Sequence, residues 1–245
     1  VEMGTLEEIS WSELTNPLPD PQVAVWGYAM TYPAHRDEVK LDDSFCFRKF
    51  SSAVSGNSDI IFRPYLDYEA EVGLLMERNR SDRFGYLLAN DLTDRAIQAR
   101  TFNPENMGPG FTKAKSFEGA LHVGLLLVIS SGELWEELEI ELSLNGERRQ
   151  HLIASNSFVR PGRIHDDIFN EETGRWALAV TGTTDGVQFQ RPTIWQKVSL
   201  IVASGFSKEK ATERWLEQLT FLKPGDKVEF ESTILGRTSA TVIDN

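Results

Sequence analysis

Between Tyr65 and Lys115 the chain carries charge at the heads and tails of segments that are otherwise apolar. Glu69-Ala-Glu71 opens the run Val72-Gly-Leu-Leu-Met76, and a second run, Tyr86-Leu-Leu-Ala-Asn90, ends on Asp91. Both runs read as strands. Residues i and i+2 of a strand share a face, so Glu69 and Glu71 stand side by side, about 7 Å apart at Cα from the strand rise. Crowded carboxylates are unfavourable unless one keeps its proton or a cation neutralises them. With Asp91 as a third donor and no cysteine or histidine, the oxygen-only set suits a hard divalent cation: Mg²⁺, Mn²⁺ or Ca²⁺. The competing reading is a solvated strand edge, where most Glu-x-Glu pairs belong.

A chain of 245 residues fits one large domain or one with a small appendage. The expected division is a small N-terminal segment over 1–40 and a catalytic domain over 41–245. Hydrophobic residues make up 40% of the chain, enough to enclose a buried site without staples. The net charge of −12 argues against nucleic acid as the main partner, because phosphate backbones favour clustered Lys and Arg. An anionic substrate would need local positive charge against that background. Cys46, the single cysteine, lies between Phe45 and Phe47 and reads as a buried thiol; it can form no intrachain disulfide. There is no signal-peptide pattern and no apolar run near the roughly 18 residues that span a bilayer. The expectation is a cytoplasmic protein with no membrane partner.

A short helix is expected over 7–14, followed by a proline-rich connector at 16–21. Strands are expected at 22–30, 45–50, 60–63, 69–76, 86–91, 121–130, 137–144, 147–153, 176–181, 227–232 and 239–243. Asn145-Gly146 gives a hairpin turn. Helices are expected from Pro33 and over 94–100. Two late helices follow, one with the stripe Trp195, Val198, Val202 and one with Ala211, Trp215, Leu219. The tryptophans and Phe221 read as core or dimer contacts rather than a stacking platform. The loop 103–110 is long enough to cover a site. The fold class is α+β, rich in strands, with helices at the margins.

Asp67-Tyr-Glu-Ala-Glu-Val-Gly73, Gly85-Tyr86, Asn90-Asp91, Arg95, Gln98, Lys113-Ala-Lys-Ser-Phe117 and Pro224-Gly-Asp226 together resemble the fumarylacetoacetate hydrolase superfamily, on its acylpyruvate hydrolase-like branch. The resemblance implies a mixed β-roll around a divalent metal, most often Mg²⁺, in a homodimer that binds a small anionic 2-oxo acid. It places Glu69, Glu71 and Asp91 as metal ligands. It places His35 and Glu38, in Tyr32-x-x-His-x-x-Glu, as a water-activating dyad. Lys115 stands near the substrate, and Gln98 helps hold an oxyanion. Lys49, Thr181 and Gly182 stand at substrate-contacting positions. Taken alone, His35 also fits an exposed histidine at a helix start, stacked on Tyr32.

The implied activity is metal-dependent hydrolysis of a C–C bond in acylpyruvates or related β-diketo acids. Its alternatives are decarboxylation, dehydration or isomerisation of a 2-oxo acid on the same site, or non-catalytic binding of metal or a small acid. The sequence departs from the family pattern most in its second half. There Thr181-Gly182-Thr183-Thr184-Asp185-Gly186 precedes the Trp195 helix, where the family's corresponding segment follows a helix and a Pro-Gly-Asp turn.

Overall fold

A computed structural model describes residues 23–39, 44–56 and 59–244, apart from the side chains of residues 38 and 39. The helix expected over 7–14, the proline-rich connector and the side chain of Glu38 lie outside the described residues. In chain order the elements begin with β1 (Ala24–Ala29), α1 (Pro33–Val39), β2 (Phe45–Lys49), β3 (Val54–Ser55), β4 (Ile60–Ile61) and β5 (Leu66–Asp67). The central hairpin follows as β6 (Ala70–Glu77) and β7 (Arg80–Asp91), then β8 (Thr93–Asp94), α2 (Arg95–Thr101) and α3 (Gly108–Ala114). Next come β9 (Leu121–Val123), β10 (Val128–Ser130), β11 (Glu139–Leu144), β12 (Glu147–Ile153), α4 (Pro161–Glu171) and β13 (Trp176–Val180). The chain closes with α5 (Ile194–Ala203), α6 (Lys208–Leu216), β14 (Lys227–Ser232) and β15 (Gly236–Ile243). The architecture is α+β and strand-rich.

The larger sheet runs β2-β1-β13-β6-β7-β9-β3, with β10 also paired to β7; the smaller runs β12-β11-β14-β15-β4. β1 is parallel to β13 and sits inside the larger sheet, so described residues on both sides of residue 40 share one sheet. From Ala70 to Met76 and from Phe84 to Asp91 the β6–β7 hairpin is buried on both faces, which explains its unbroken apolar runs. Val72, Leu74 and Met76 face the main core, where they meet Ile140, Leu142, Val228 and Phe230 of the second sheet. Leu75 and Leu87 face a smaller cluster with Leu178 and Val180. Glu71 and Asp91 keep the parity of that second face, so their carboxylates arrive at its end rather than in the main core.

Several boundaries differ from the sequence expectation for local reasons. β7 starts at Arg80, because the charged stretch before Phe84 is an exposed extension of the strand rather than a loop. The run 121–130 divides into β9 and β10, two segments pairing with β7 at different heights. Asn145 and Gly146 both have positive φ, 53° and 82°, as a tight two-residue hairpin turn requires. α4 was not anticipated. It buries Ile164, His165, Ile168 and Phe169 at helical spacing, behind a proline in its first turn.

α5 has the capping box Thr193/Gln196. Its expected apolar stripe remains exposed: Trp195 is 83% accessible, and Val198 and Val202 are more than half accessible. Trp215 of α6 is buried. No helix among the described residues is long and apolar enough to cross a membrane.

His122, on β9, is buried, and burial lowers its pKa to about 4 against the opposing pull of Asp59. The unfolded chain's histidine titrates near 6.5 and takes a proton the folded form refuses. His122 therefore leaves stability intact above about pH 6.5 and lowers it as pH falls toward 4, by up to about 3 kcal/mol. The His122→Gln variant should show a shallower acid-side slope of urea-unfolding free energy across that window. An unchanged slope would mean that His122 is not the group responsible.

Candidate active site

Asp67, Glu69, Glu71 and Asp91 are all buried, and so are Lys49, Arg95 and Lys115. The hairpin brings the acids together: Ala70 pairs with Asn90, the Asp91 N–H donates to the Glu69 carbonyl at 2.9 Å, and the Glu69 N–H donates to Asn90 Oδ1 at 3.1 Å. Glu69, Glu71 and Asp91 each offer an oxygen within 4.8 Å of the others. Lys115 Nζ bridges Glu69 Oε2 at 2.7 Å and Asp91 Oδ2 at 2.9 Å. Arg95 holds Asp67 Oδ2 at 2.7 Å and Glu69 Oε1 at 2.8 Å.

The titration behaviour follows from this placement. Burial alone would raise the Glu69 pKa, but Lys115, Arg95 and His35 outweigh it and lower it to about 2. Burial would likewise lower Lys115, and the three carboxylates reverse that and raise it. Glu71 has less relief, from the Lys115 charge and the Gly182 N–H alone. It accepts the Gly182 N–H at 2.5 Å and forms no ion pair among the described residues, so burial and the Asp91 charge hold it well above the ordinary carboxylate range. Four buried carboxylates face three buried cations, and the deficit falls on Glu71. Three converging oxygen donors short of positive charge fit a hard divalent cation.

Gly182 is required where it stands. Its φ is +88°, and a Cβ there would lie 2.2 Å from Thr31 Oγ1. Thr181 and Thr183 fasten the segment to β6, donating from their hydroxyls to the Val72 and Ala70 carbonyls at 3.0 and 2.9 Å. Asp67 extends the same bracing: it accepts the backbone N–H groups of Gln188 and Phe189 at 3.0 Å each.

Beside the acids opens a cavity of about 450 Å³. His35, Gln98, Lys115 and Gly182 line it together with Glu69, so half of the ten site residues expected from the sequence share one chamber. Gln98 accepts an Arg95 N–H on Oε1 at 2.9 Å; arginine can only donate, so the amide NH₂ is the end left for an acceptor. Thr181 is buried behind the wall, with its hydroxyl committed to Val72. Lys49 is also set behind the acids. Its ammonium contacts Asp91 Oδ1 at 2.5 Å and the Lys115 carbonyl, and it is absent from the cavity lining.

Sequence reasoning gave no role to Arg95, Asp67 or Thr183, although Asp67 and Arg95 stand inside the motif that was recognised. The spacing of Arg95 three residues before Gln98, one turn of α2, was the available signal. At the outer end the cavity meets Arg191, Lys197 and Lys208, and among the described residues Glu69 is its one lining carboxylate. Local positive charge is thus present despite the chain's net −12.

Burial lowers the Lys49 pKa, and Asp91 opposes that shift, so the pair is held by mutual need. Removing one partner of a buried pair typically costs 3–5 kcal/mol, and Lys115 remains to cover part of the Asp91 charge. Lys49→Met should therefore lower the urea-unfolding free energy by about 3 kcal/mol. A loss below about 1 kcal/mol would show that Lys115 alone carries Asp91.

The model of the fumarylacetoacetate (FAA) hydrolase C-terminal family matches residues 24–243. Among curated proteins, the chain is 25% identical over 260 residues to oxaloacetate tautomerase YisK of Bacillus subtilis, covering 97% of this chain and 76% of that protein. Its fold is similar to that of a probable 2-hydroxyhepta-2,4-diene-1,7-dioate isomerase from Mycobacterium abscessus, with TM-score 0.67 and 22% identity over 92% of this chain and 77% of that one. It is also similar to fumarylpyruvate hydrolase from Pseudomonas aeruginosa, solved in complex with Mn²⁺ and pyruvate, with TM-score 0.65 and 18% identity over 91% of this chain and 90% of that one. With the match running from β1 to β15 through the carboxylate cluster, the chain belongs to the fumarylacetoacetate hydrolase family.

Proposed function

We propose that the protein is a divalent-metal-dependent hydrolase that cleaves the C–C bond of acylpyruvates. One observation carries the reading: His35, Gln98 and Lys115 line the same chamber as Glu69, beside the three-carboxylate cluster. Glu69, Glu71 and Asp91 would hold the cation, which when bound supplies Lewis-acid polarisation of the 2-oxo acid's oxygens. His35 is buried on α1, close enough to Glu69 to act on its charge, and takes the proton of a water molecule.

The water oxygen adds to the distal carbonyl carbon. The bond from that carbon to the methylene then breaks, leaving its electron pair on the pyruvate fragment. A proton returned to the former methylene carbon completes pyruvate, and the acyl group departs as a carboxylic acid. The Gln98 amide NH₂ and the third N–H of Lys115 are the donors for oxyanion charge along this path.

The reading also takes Mg²⁺ as the cellular metal, the cytoplasm as the location and a homodimer as the working form, with no nucleic-acid or membrane partner. Exposed apolar side chains at Leu126, Leu127 and Ile129 support the dimer. A second reading, tautomerisation or another isomerisation of a small 2-oxo acid, is favoured by the likeness to the Bacillus tautomerase. It needs the same head-group site and a proton carrier, but no water.

Pyruvate release from acetylpyruvate, followed with a coupled dehydrogenase, tests the first reading. Turnover should require Mg²⁺ or Mn²⁺ and vanish with chelator. Glu71→Gln should lose metal binding by calorimetry. His35→Ala should keep metal and lose about 10²- to 10⁴-fold in kcat. Full activity in His35→Ala would remove the base from His35. Enol–keto conversion of oxaloacetate without any acylpyruvate cleavage would establish the second reading instead.

A further inference from the structure

The cavity is chemically divided. Its inner end holds His35, Glu69, Arg95, Gln98 and Lys115, and its outer wall is built from Phe102, Phe189, Leu200, Ile201, Trp215 and Leu216. These outer residues come from the end of α2 and, in the second half where the chain departs from the family pattern, from the segment after Gly186 and both late helices. The Trp215 indole N–H donates to the Gln190 carbonyl at 2.8 Å, so the ring offers the cavity only its hydrocarbon surface. Among the described residues no carboxylate belongs to this outer wall, and the cations near it are Arg191, stacked 5.7 Å from the Phe102 ring, and the exposed Lys197 and Lys208.

We propose that the acyl group of the substrate is large and apolar, an aromatic ring or a medium-length alkyl chain, seated between α2, α5 and α6. This rests on the acylpyruvate reading above and narrows it. A volume of about 450 Å³ lies within the range of pockets that enclose drug-sized ligands, and corresponds to about fifteen waters at roughly 30 Å³ each. A pyruvate head engaged at the acids fills only the inner end. A short diacid such as oxaloacetate would leave the apolar wall against water and bring a second charge where the wall offers hydrocarbon. An aryl or alkyl group displaces that water and gains affinity with each buried carbon. The rim cations attract the anionic head inward.

Two measurements test the assignment separately from the chemistry. The first is calorimetric binding of pyruvate and of phenylpyruvate to the Mn²⁺-loaded protein. Phenylpyruvate should bind at least tenfold tighter, and equal affinities would overturn the proposal whether or not any acylpyruvate is cleaved. The second is kcat/KM over acetyl-, butanoyl-, hexanoyl- and benzoylpyruvate. Values should rise about fourfold per methylene until the wall is filled. A flat or falling series would overturn the apolar assignment and leave the hydrolase reading standing, whereas no cleavage across the series, with phenylpyruvate still favoured in binding, would overturn only the hydrolase reading.

Ile201→Gln, checked for an unchanged thermal midpoint, should cut the phenylpyruvate preference at least fivefold. An intact preference in that folded variant would move the tail away from α5.

Discussion

The fold is organised around the burial of four carboxylates at one end of the β6–β7 hairpin. An ionised carboxylate taken out of water is costly unless cations and hydrogen bonds replace its hydration. Here the replacement comes from distant parts of the chain: Lys49 from β2, Arg95 from the start of α2, Lys115 just after α3, and the Gly182 N–H beyond β13. Each of these elements is fixed in place by the charge it answers. The sheet supplies the rigidity, since β6 is buried on both faces and paired on both edges. One position is left short, at Glu71, and a cluster of three oxygen donors short of positive charge could hold a divalent cation.

The head of the site was legible in the sequence because charge inside an apolar run is an anomaly that demands a reason. Glu69, Glu71 and Asp91 could be singled out on that ground alone, and the ordered motif from Asp67 to Phe117 gave the family. His35, Gln98 and Lys115 followed from the motif, and the structure puts all three in one chamber. The direction in which Lys49 points was not legible, because a lysine in an alternating strand carries no mark of whether its partner is a ligand or a neighbouring acid. Nor was α4, whose buried face is interrupted by His165, a residue that hydropathy reads as polar although it packs 4.8 Å from the Phe169 ring. The α5 stripe shows a related limit. Amphipathic spacing states that a helix has an apolar face, and is silent on whether the same chain covers it.

The outer wall was the least legible part, for a topological reason. Its residues lie on α2, α5, α6 and the segment following Gly186, and no short motif spans them. What joins them to the acids is a relay that only the fold displays. Asp67 accepts the N–H groups of Gln188 and Phe189 while it binds Arg95, and Arg95 in turn binds Glu69 and Gln98. Trp215 completes the connection by donating to the carbonyl of Gln190, the residue directly after Phe189.

This relay bears on how one head group serves different reactions. Hydrolysis and tautomerisation both need a 2-oxo acid held at the oxygen cluster and a base beside it, so the acids and His35 cannot by themselves choose between them. The choice lies in what else the chamber admits: a distal acyl group with an attacking water, or a small acid with nothing beyond it. In this chain the wall that makes that choice hangs on Asp67, whose other partner orients Glu69. On the proposed function, a substitution in the segment 187–190 acts on the distal group directly and on the carboxylate geometry through Asp67 and Arg95. Substrate range and metal-site geometry are then coupled, and they are expected to vary together rather than independently.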